Sequence, residues 1–200
     1  MLRLAVFASG QGSNLEAIYH SISRGALHDV ELALVISNNS ASGALSFARK
    51  REIPGIHLSV LSCENDKLKF ESKLLLTLQD AKIDLIALAG YMKKLPGKVL
   101  EEYAGRIVNI HPALLPEFGG KGMYGMNVHA AVLASGAKIS GASAHFVEGE
   151  YDTGEIILQE TCPVIQGETP ESLAERVKEI EHRILPKAIQ VIANRVNKGK

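Results

Sequence analysis

Apolar runs and amphipathic stretches alternate along the first half of the chain. Four continuous apolar runs have the length expected of buried strands: 2–9, 31–37, 83–90 and 106–110. The stretches between them repeat apolar residues at helical spacing, and residues 64–80 are predicted as a helix with Leu68, Leu75 and Leu78 on one face. Strands that alternate with helices pair in parallel through right-handed crossovers. The pattern therefore predicts a single-domain α/β fold with a mostly parallel, Rossmann-like open sheet and helices on both faces.

The alternation changes after the glycine-rich stretch 118–125. A short helix is predicted at residues 128–136, and two strands follow it, at 140–147 and 155–164, with no helix between them. This order predicts an antiparallel C-terminal portion of the sheet. A closing helix is predicted from Pro170 onward, because its apolar residues follow the i, i+3, i+4 rule: Leu173, Val177, Ile180, Ile184, Ala188 and Ile192.

Composition supports a folded chain and gives no broad electrostatic preference. The 200 residues are 46% hydrophobic and 22% charged, which is typical of a globular protein. Lys plus Arg and Asp plus Glu each total 22, so no overall charge favours nucleic acid or an anionic membrane surface. We expect one domain over residues 1–200, with any anion recognition confined to a local site.

Metal and redox sites are not indicated by the cysteine and histidine spacing. Cys63 and Cys162 are far apart and form no Cys-x-x-Cys motif, and no pair of histidines has the His-x-x-x-His spacing of metal ligands. The first residues lack the apolar region of a secretory signal, and no window approaches the roughly 18 apolar residues of a membrane span. We therefore expect a cytoplasmic protein without a metal.

The first predicted strand runs into GQGSN, residues 10–14, at a strand-to-helix turn. Free N–H groups and the helix dipole suit a phosphate there, and glycines let the backbone approach it. The dinucleotide fingerprint is incomplete, because Leu15 replaces its third glycine and the second strand ends in Asn38 instead of an acid. A Walker A loop also fails, since Lys121 has no hydroxyl residue after it. A monophosphate fits best, and a simple turn with an N-cap is the alternative.

The stretch VNIHP, residues 108–112, places two polar side chains at the end of a predicted strand. Asn109 and His111 are two positions apart, so they project from the same face. The carboxyl ends of parallel strands are where open α/β sheets bind ligands. An amide donor and an imidazole at one point can stabilise a developing oxyanion and transfer a proton. A satisfied strand-end histidine is the alternative.

A carboxylate further along the chain is a candidate partner for this pair. Asp152 lies in EGEYDTGEII, in a turn between two predicted strands. If it approaches His111, its charge favours the imidazolium and raises the pKa of that ring toward neutral pH. Local hydrogen bonding within the turn is the alternative.

Seven segments, taken together, resemble one family: FASGQGSNLEAI, LVISN, LAGYMKKL, VNIHPALLP, SAHFV, YDTGEIILQ and EIEHRILP. Over nearly its whole length the chain is similar to the folate-dependent formyltransferases. Gly-Ser-Asn in the first turn resembles the branch that acts on glycinamide ribonucleotide, the phosphoribosylglycinamide formyltransferases. The methionyl-tRNA formyltransferase and formyltetrahydrofolate deformylase branches are expected to carry an additional domain, for which this length leaves no room.

The resemblance implies a reaction and three catalytic positions. The formyl group of the co-substrate 10-formyltetrahydrofolate would pass directly to the amine of glycinamide ribonucleotide in purine biosynthesis, through a tetrahedral intermediate and without a metal. Asn109 would donate to the oxyanion and contact the folate, His111 would act as the acid, and Asp152 would keep His111 protonated. The partners implied are small molecules, not nucleic acid or membranes, and a homodimer is one option.

The resemblance also implies where the nucleotide binds. Its phosphate would lie on Gly12, Ser13 and Asn14, Pro112 would line the same substrate site, and Glu181 would contact the ribose. In this view residues 1–110 form the phosphate-binding half, and residues 111–200 form the folate-site and closing-helix half.

The implied folate site includes a departure from the family pattern. The folate ring would lie against the backbone from Met92 through Lys93 and Lys94 to Leu95. The family usually has an arginine where Lys93 stands and an apolar residue where Lys94 stands. Lys67 would lie near the glutamate tail of the folate. Glycines between residues 119 and 125 indicate a mobile lid over this site.

Two other functions are compatible with the same residues. An Asn-His-Asp set can activate water, so a hydrolase acting on the same folate is one alternative. A non-enzymatic module that binds a mononucleotide, with the Asn-His pair as a strand cap, is the other.

Overall fold

The polypeptide, described for residues 1–198 by a computed structural model, forms a seven-stranded sheet flanked by helices. Its elements are, in chain order, β1 (Leu2–Phe7), α1 (Ser13–Ser23), β2 (Val30–Ser37), α2 (Gly43–Lys50), β3 (Gly55–His57), a 3₁₀ turn (Leu61–Cys63), α3 (Lys67–Asp80), β4 (Leu85–Leu88), α4 (Gly97–Glu102), β5 (Ile107–His111), α5 (Met126–Ala134), β6 (Ile139–Phe146), β7 (Ile156–Pro163) and α6 (Pro170–Lys198).

The strand order β3-β2-β1-β4-β5-β6-β7 confirms the predicted fold class. The first five strands pair in parallel, and β6 and β7 are antiparallel to their neighbours, as the missing crossover helix between them predicted. The predicted division between residues 110 and 111 falls inside β5, so the sheet continues across it. As a functional division it stays a prediction.

Alternate residues of each strand face two different helix layers. On β1, Leu4 and Val6 belong to the core covered by α1, α2, α5 and α6, whereas Ala5 and Phe7 belong to the core covered by α3 and α4. Both faces of the central strands are therefore buried, which explains why their sequences are continuously apolar. The prediction of helices on both faces is confirmed.

The closing helix α6 is the longest element, and its predicted apolar face is confirmed. Its six predicted apolar positions are all buried, with exposures of 3% or less: Leu173, Val177, Ile180, Ile184, Ala188 and Ile192. The helix packs on β5, β6 and β7 and also contacts α1 and α5. It thus brings residues near the end of the chain beside the first strand-to-helix turn.

The predicted inner face of α3 was wrong at one position. Leu68 is 72% exposed, and the buried face is formed by Phe70, Leu74 and Leu78. The helix starts later than residue 64, because the Asp66 side chain accepts the N–H groups of Leu68 and Lys69 as an N-cap. Leu68 therefore lies in the first turn, away from the sheet, while the residues at i, i+4 and i+8 from Phe70 pack inward.

Within residues 1–198, no helix combines the length and the apolar character needed to cross a membrane.

We predict that Leu74→Ala lowers the free energy of unfolding by about 2–5 kcal/mol, because it leaves a cavity in a close-packed core. The matched control Leu68→Ala should change it by about 0.5 kcal/mol or less, since that side chain is mostly exposed. Chemical denaturation of both variants measures the difference. Equal losses would contradict the assigned inner face.

Candidate active site

A cavity of about 460 Å³ opens at the carboxyl ends of β1, β4 and β5. β1 and β4 are neighbours in the sheet although the chain turns to opposite sides after them, so the cavity lies at the topological switch point where open α/β sheets bind ligands. Its volume is within the range of small-molecule sites. Its walls come from the first turn, the end of β5, the glycine-rich loop, the β6–β7 loop and α6.

Sheet register places three polar side chains together at the end of β5. Asn109 and His111 both belong to this strand, and both line the cavity. The antiparallel pairing with β6 puts His145 directly opposite Asn109. Asn109 Nδ2 lies 3.0 Å from His145 Nε2. His145 was absent from the predicted set, although SAHFV on the next strand shows it to be a polar residue that strand pairing can bring to Asn109.

The Asp152 carboxylate joins this group from the loop between β6 and β7. Its Oδ2 lies 3.5 Å from His111 Nδ1, and its Oδ1 lies 3.4 Å from His145 Nε2. The backbone N–H of Gly120 donates to Oδ2 at 2.9 Å, and Asn109 Nδ2 is 3.4 Å from Oδ1. The structure therefore brings together Asn109, His111 and Asp152, which are up to 43 residues apart in sequence.

The His111 ring is held between a backbone carbonyl and this carboxylate. Its Nε2 lies 2.7 Å from the Phe118 carbonyl oxygen, which can only accept, so Nε2 carries a proton. In the neutral ring Nδ1 then faces Asp152 with a lone pair. Only the imidazolium offers Asp152 a proton at Nδ1. These two contacts therefore favour the protonated ring, whereas burial favours the neutral one.

The expected rise in the pKa of His111 was wrong as a net direction. His111 is 3% exposed, and burial lowers the pKa of its ring by more than the Asp152 charge and the Phe118 carbonyl raise it. The positive charge of His145, when present, also lowers it. The effect of Asp152 has the predicted sign, but desolvation, which sequence cannot quantify, outweighs it.

The opposite balance holds for Asp152 itself. Burial raises the pKa of this carboxyl, but the hydrogen bond with His145, the charge of His111 and the Gly120 N–H together lower it below its ordinary value. Asp152 is therefore ionised at neutral pH. It supplies a fixed negative charge beside the His111 ring.

The first strand-to-helix turn has the features of an anion site. Gly12 is the N-cap residue of α1, with φ of 90°, and no side chain caps the helix. The N–H groups of the first turn of a helix have no acceptor within the helix, so those of Ser13 and Asn14 are available to a ligand. No side chain closes this turn as an N-cap, and the choice between a phosphate site and a simple turn stays a prediction. A Cβ on Gly12 would also lie 2.9 Å from Ala44 Cα, so α2 packs against this turn.

The side chains around this turn come from α1 and α6. Asn14 Nδ2 donates to Glu181 Oε2 at 2.7 Å, and both residues line the cavity together with Ser13. Lys178, one helical turn before Glu181, adds a positive charge to the same wall. Lys178 was not predicted from the sequence. Its three-residue spacing from Glu181 places both residues on the same face of α6, which could have indicated it. Pro112 lines the same cavity.

The predicted folate-contacting residues are divided between two cavities. Met92 lines the main cavity, while Lys93, Lys94 and Leu95 line a neighbouring one of about 60 Å³ that reaches Asn109 and Asp152. Leu95 is buried there. Lys94 Nζ lies 3.0 Å from Glu150 Oε1, so it is paired with the β6–β7 loop. Lys67 begins α3 and lines neither cavity, and its folate contact stays a prediction.

The glycine-rich loop lies over the main cavity. Residues 120–126 line it, and the loop contacts two of the three catalytic candidates, His111 through the Phe118 carbonyl and Asp152 through the Gly120 N–H. His129, in α5 just after the loop, also lines the cavity and is 4% exposed, and its Nδ1 has no hydrogen-bond partner among the described residues. Burial and the nearby His111 lower the pKa of His129. It thus adds a second imidazole to the walls of the main cavity, beside His111.

Within residues 1–198, no three or more His, Cys, Asp and Glu side chains are arranged to hold a metal ion. His111 instead contacts the Phe118 carbonyl and Asp152, and His145 contacts the Phe146 carbonyl, Asn109 and Asp152. The buried Nδ1 of His129 has no partner among these residues.

The fold and this cluster define an α/β protein with a ligand cavity at the sheet switch point. Residues 2–189 match the model of the family described as formyl transferase. The chain therefore belongs to the formyl transferase family. The predicted resemblance is confirmed.

Relatives and solved structures agree with this placement. The chain is 41% identical over 190 residues to the chloroplastic phosphoribosylglycinamide formyltransferase of Vigna unguiculata, covering 95% of this chain and 60% of that protein. It superposes with a TM-score of 0.89 and 36% identity on glycinamide ribonucleotide transformylase 1 from Symbiobacterium toebii, covering 97% of this chain and 88% of that one. It superposes on a formyltetrahydrofolate deformylase from Pseudomonas syringae with a TM-score of 0.84 and 26% identity, covering 97% of this chain and 62% of that one. The chain spans less than two thirds of the length of the plant relatives.

We predict that Asp152→Asn moves the pH dependence of kcat/KM to lower pH. Activity that needs the His111 imidazolium is present below the pKa of that ring and is lost as pH rises through it. Removing the Asp152 charge lowers that pKa further, so the falling limb shifts toward acid. Glu155→Gln, a change of an exposed carboxylate in the same loop, should leave the limb in place. An unchanged limb in Asp152→Asn would show that Asp152 does not act through His111.

Proposed function

We propose that this chain is a folate-dependent phosphoribosylglycinamide formyltransferase. It transfers the formyl group of 10-formyltetrahydrofolate to the amine of glycinamide ribonucleotide in purine biosynthesis. The observation that carries this proposal is one cavity that joins an uncapped helix N-terminus at one end to the Asn109, His111 and Asp152 cluster at the other. The relatives with that activity in their names support the same substrate pair.

The nucleotide is assigned to the end of the cavity formed by α1 and α6. Its phosphate binds the N–H groups of Ser13 and Asn14 at the Gly12 turn, where the helix dipole favours negative charge. Its ribose faces Glu181, and Pro112 contacts the arm that carries the amine. This orientation points the amine toward the end of β5.

The folate is assigned to the opposite end. The smaller cavity is walled by apolar side chains, among them Leu88, Leu95 and Val147, and it opens between the segment after β4 and the β6–β7 loop. At about 60 Å³ this slot would hold only part of a flat heterocycle, the rest of which would extend into the adjoining main cavity. In this assignment the Lys94 ammonium does not bind the co-substrate, because it is paired with Glu150.

Three side chains divide the chemical work. Asn109 donates its amide N–H to the formyl oxygen, where negative charge develops as the amine attacks the formyl carbon. His111 donates a proton to the departing nitrogen as the carbon–nitrogen bond breaks, and the proton that the attacking amine loses returns to His111 and regenerates its imidazolium. Asp152 stabilises the imidazolium through its negative charge, which the Gly120 N–H and His145 keep ionised.

Purified protein should transfer formyl between the two substrates, and Asn109→Ala should lower kcat by about 100-fold or more, because an oxyanion donor in a buried site is lost. Steady-state assays that follow the folate product measure it. Turnover like that of the unmodified chain would remove the assigned role of Asn109.

We predict that Gly12→Ala raises KM for the nucleotide by about 10-fold or more, since the new Cβ meets Ala44 and displaces the phosphate turn. Gly25→Ala is the matched control, because Gly25 has a similar positive φ but open space around it. That variant should lose stability only. Equal KM values in the two variants would argue against a phosphate at Gly12.

Hydrolysis of the same folate is the second candidate, favoured by the structural likeness to a deformylase. The two functions differ in their need for the acceptor. We expect formate release without glycinamide ribonucleotide to be about 100-fold slower than transfer, since water would have to replace a positioned amine. Release at the full rate without the amine would establish the hydrolase.

The remaining expectations about partners and location rest on the same assignment. Small-molecule substrates follow from it, with neither nucleic acid nor membrane as a partner, and a homodimer stays an untested option. A cytoplasmic location is proposed from the sequence, whereas a plant relative is named as chloroplastic.

A further inference from the structure

One hydrogen bond connects the first helix to the last across the nucleotide end of the cavity. Asn14 Nδ2 donates to Glu181 Oε2 at 2.7 Å, over a separation of 167 residues. Asn14 is 7% exposed, and Glu181 is half-buried. Both side chains line the cavity.

This bond is the sole hydrogen bond of the Asn14 side chain among the described residues. Its Oδ1 is buried and has no partner, so nothing else there fixes the amide. The amide must present its N–H₂ side to Glu181, because its oxygen would repel a carboxylate. The Asn14 side chain, predicted from sequence to bind phosphate, thus gives one of its two amide N–H groups to Glu181.

The same bond acts on the charge of Glu181. Burial raises the pKa of this carboxyl, while the Asn14 N–H and then the charge of Lys178 lower it. The other ionisable groups on the elements around it are Glu16 on α1, His182 on α6, His129 on α5 and His111 on β5. Lys178 Nζ is shared with Glu175, at 3.1 Å. Burial outweighs both, so the pKa of Glu181 is raised overall, and the Asn14 N–H is the largest of the influences that oppose this rise.

We propose that Asn14 is a positioning residue that makes this cavity selective for a ribonucleotide over its 2′-deoxyribonucleotide. It fixes one carboxylate oxygen of Glu181, so that the remaining lone pairs accept both hydroxyl groups of a ribose diol. A 2′-deoxyribose leaves one of these acceptors unpaired in a site that excludes water, which a site built for a hydroxyl penalises strongly. This inference rests on the proposed nucleotide site and adds its sugar specificity.

The test measures equilibrium binding by calorimetry of glycinamide ribonucleotide and its 2′-deoxy analogue. The unmodified chain should prefer the ribonucleotide by roughly 10- to 100-fold. Asn14→Ala should reduce that preference by about 10-fold, mainly by weakening the binding of the ribonucleotide. Asn194→Ala, an exposed asparagine on α6, is the matched control and should keep the full preference.

A second variant tests how the residue 14 side chain acts on the charge of Glu181. This test does not depend on Asn14→Ala being stable. Asn14→Asp keeps the side-chain size but places a carboxyl against Glu181, so the two groups must share a proton to approach. Its ribose preference should be low at neutral pH and recover as pH falls, which a purely structural role would not produce. In the unmodified chain the preference should instead fall as Glu181 takes up a proton.

The possible outcomes separate this inference from the proposed function. Equal weakening of both nucleotides in Asn14→Ala, or a preference in Asn14→Asp that does not depend on pH, overturns the positioning role. If those results appear while the unmodified chain transfers formyl normally, the proposed function holds and only the positioning role of Asn14 is rejected. If the unmodified chain neither binds the ribonucleotide nor transfers formyl, the proposed function fails first.

Discussion

The site depends on one buried negative charge, the carboxylate of Asp152. A charge removed from water is tolerated only when neighbouring groups compensate it. Here the compensation comes from three separate parts of the chain: the end of β5 through His111, β6 through His145 and the glycine-rich loop through the Gly120 N–H. The same contacts that make the charge tolerable therefore hold the strand ends and the loop in one arrangement.

The surrounding groups oppose one another in a way that suits proton transfer. Burial favours a neutral His111 and outweighs Asp152 and the Phe118 carbonyl, which favour the imidazolium, so the pKa of the ring is lowered overall. These two groups nevertheless stabilise the ring when it carries a proton at both nitrogens. The Phe118 carbonyl belongs to the loop above the cavity, so one loop both covers the site and contacts the His111 ring.

The two ends of the cavity use different kinds of recognition. In the proposed function the backbone at α1 forms the anion site, since Gly12 leaves the helix start uncapped and packed against α2. The chemistry is assigned to side chains at β5, whose positions follow from strand register. The long helix α6 joins the two ends, because its apolar face packs on the sheet while Lys178 and Glu181 face the cavity.

The sequence by itself determined the α/β class, the closing helix and the residue types at the site. Periodicity reports burial directly, because an apolar stripe must face a core, and the strand-end position of Asn109 and His111 follows from alternation alone. It did not determine the inner face of α3, where Phe70, Leu74 and Leu78 pack inward and Leu68 is exposed.

Only the tertiary structure decided which distant groups meet and at what electrostatic cost. The pairing of β5 with β6 places His145 opposite Asn109, and the packing of α6 places Glu181 beside Asn14. The net direction of the pKa of His111 also required coordinates. Desolvation depends on everything packed around the ring, whereas sequence shows only which charges exist, not how far from water they lie.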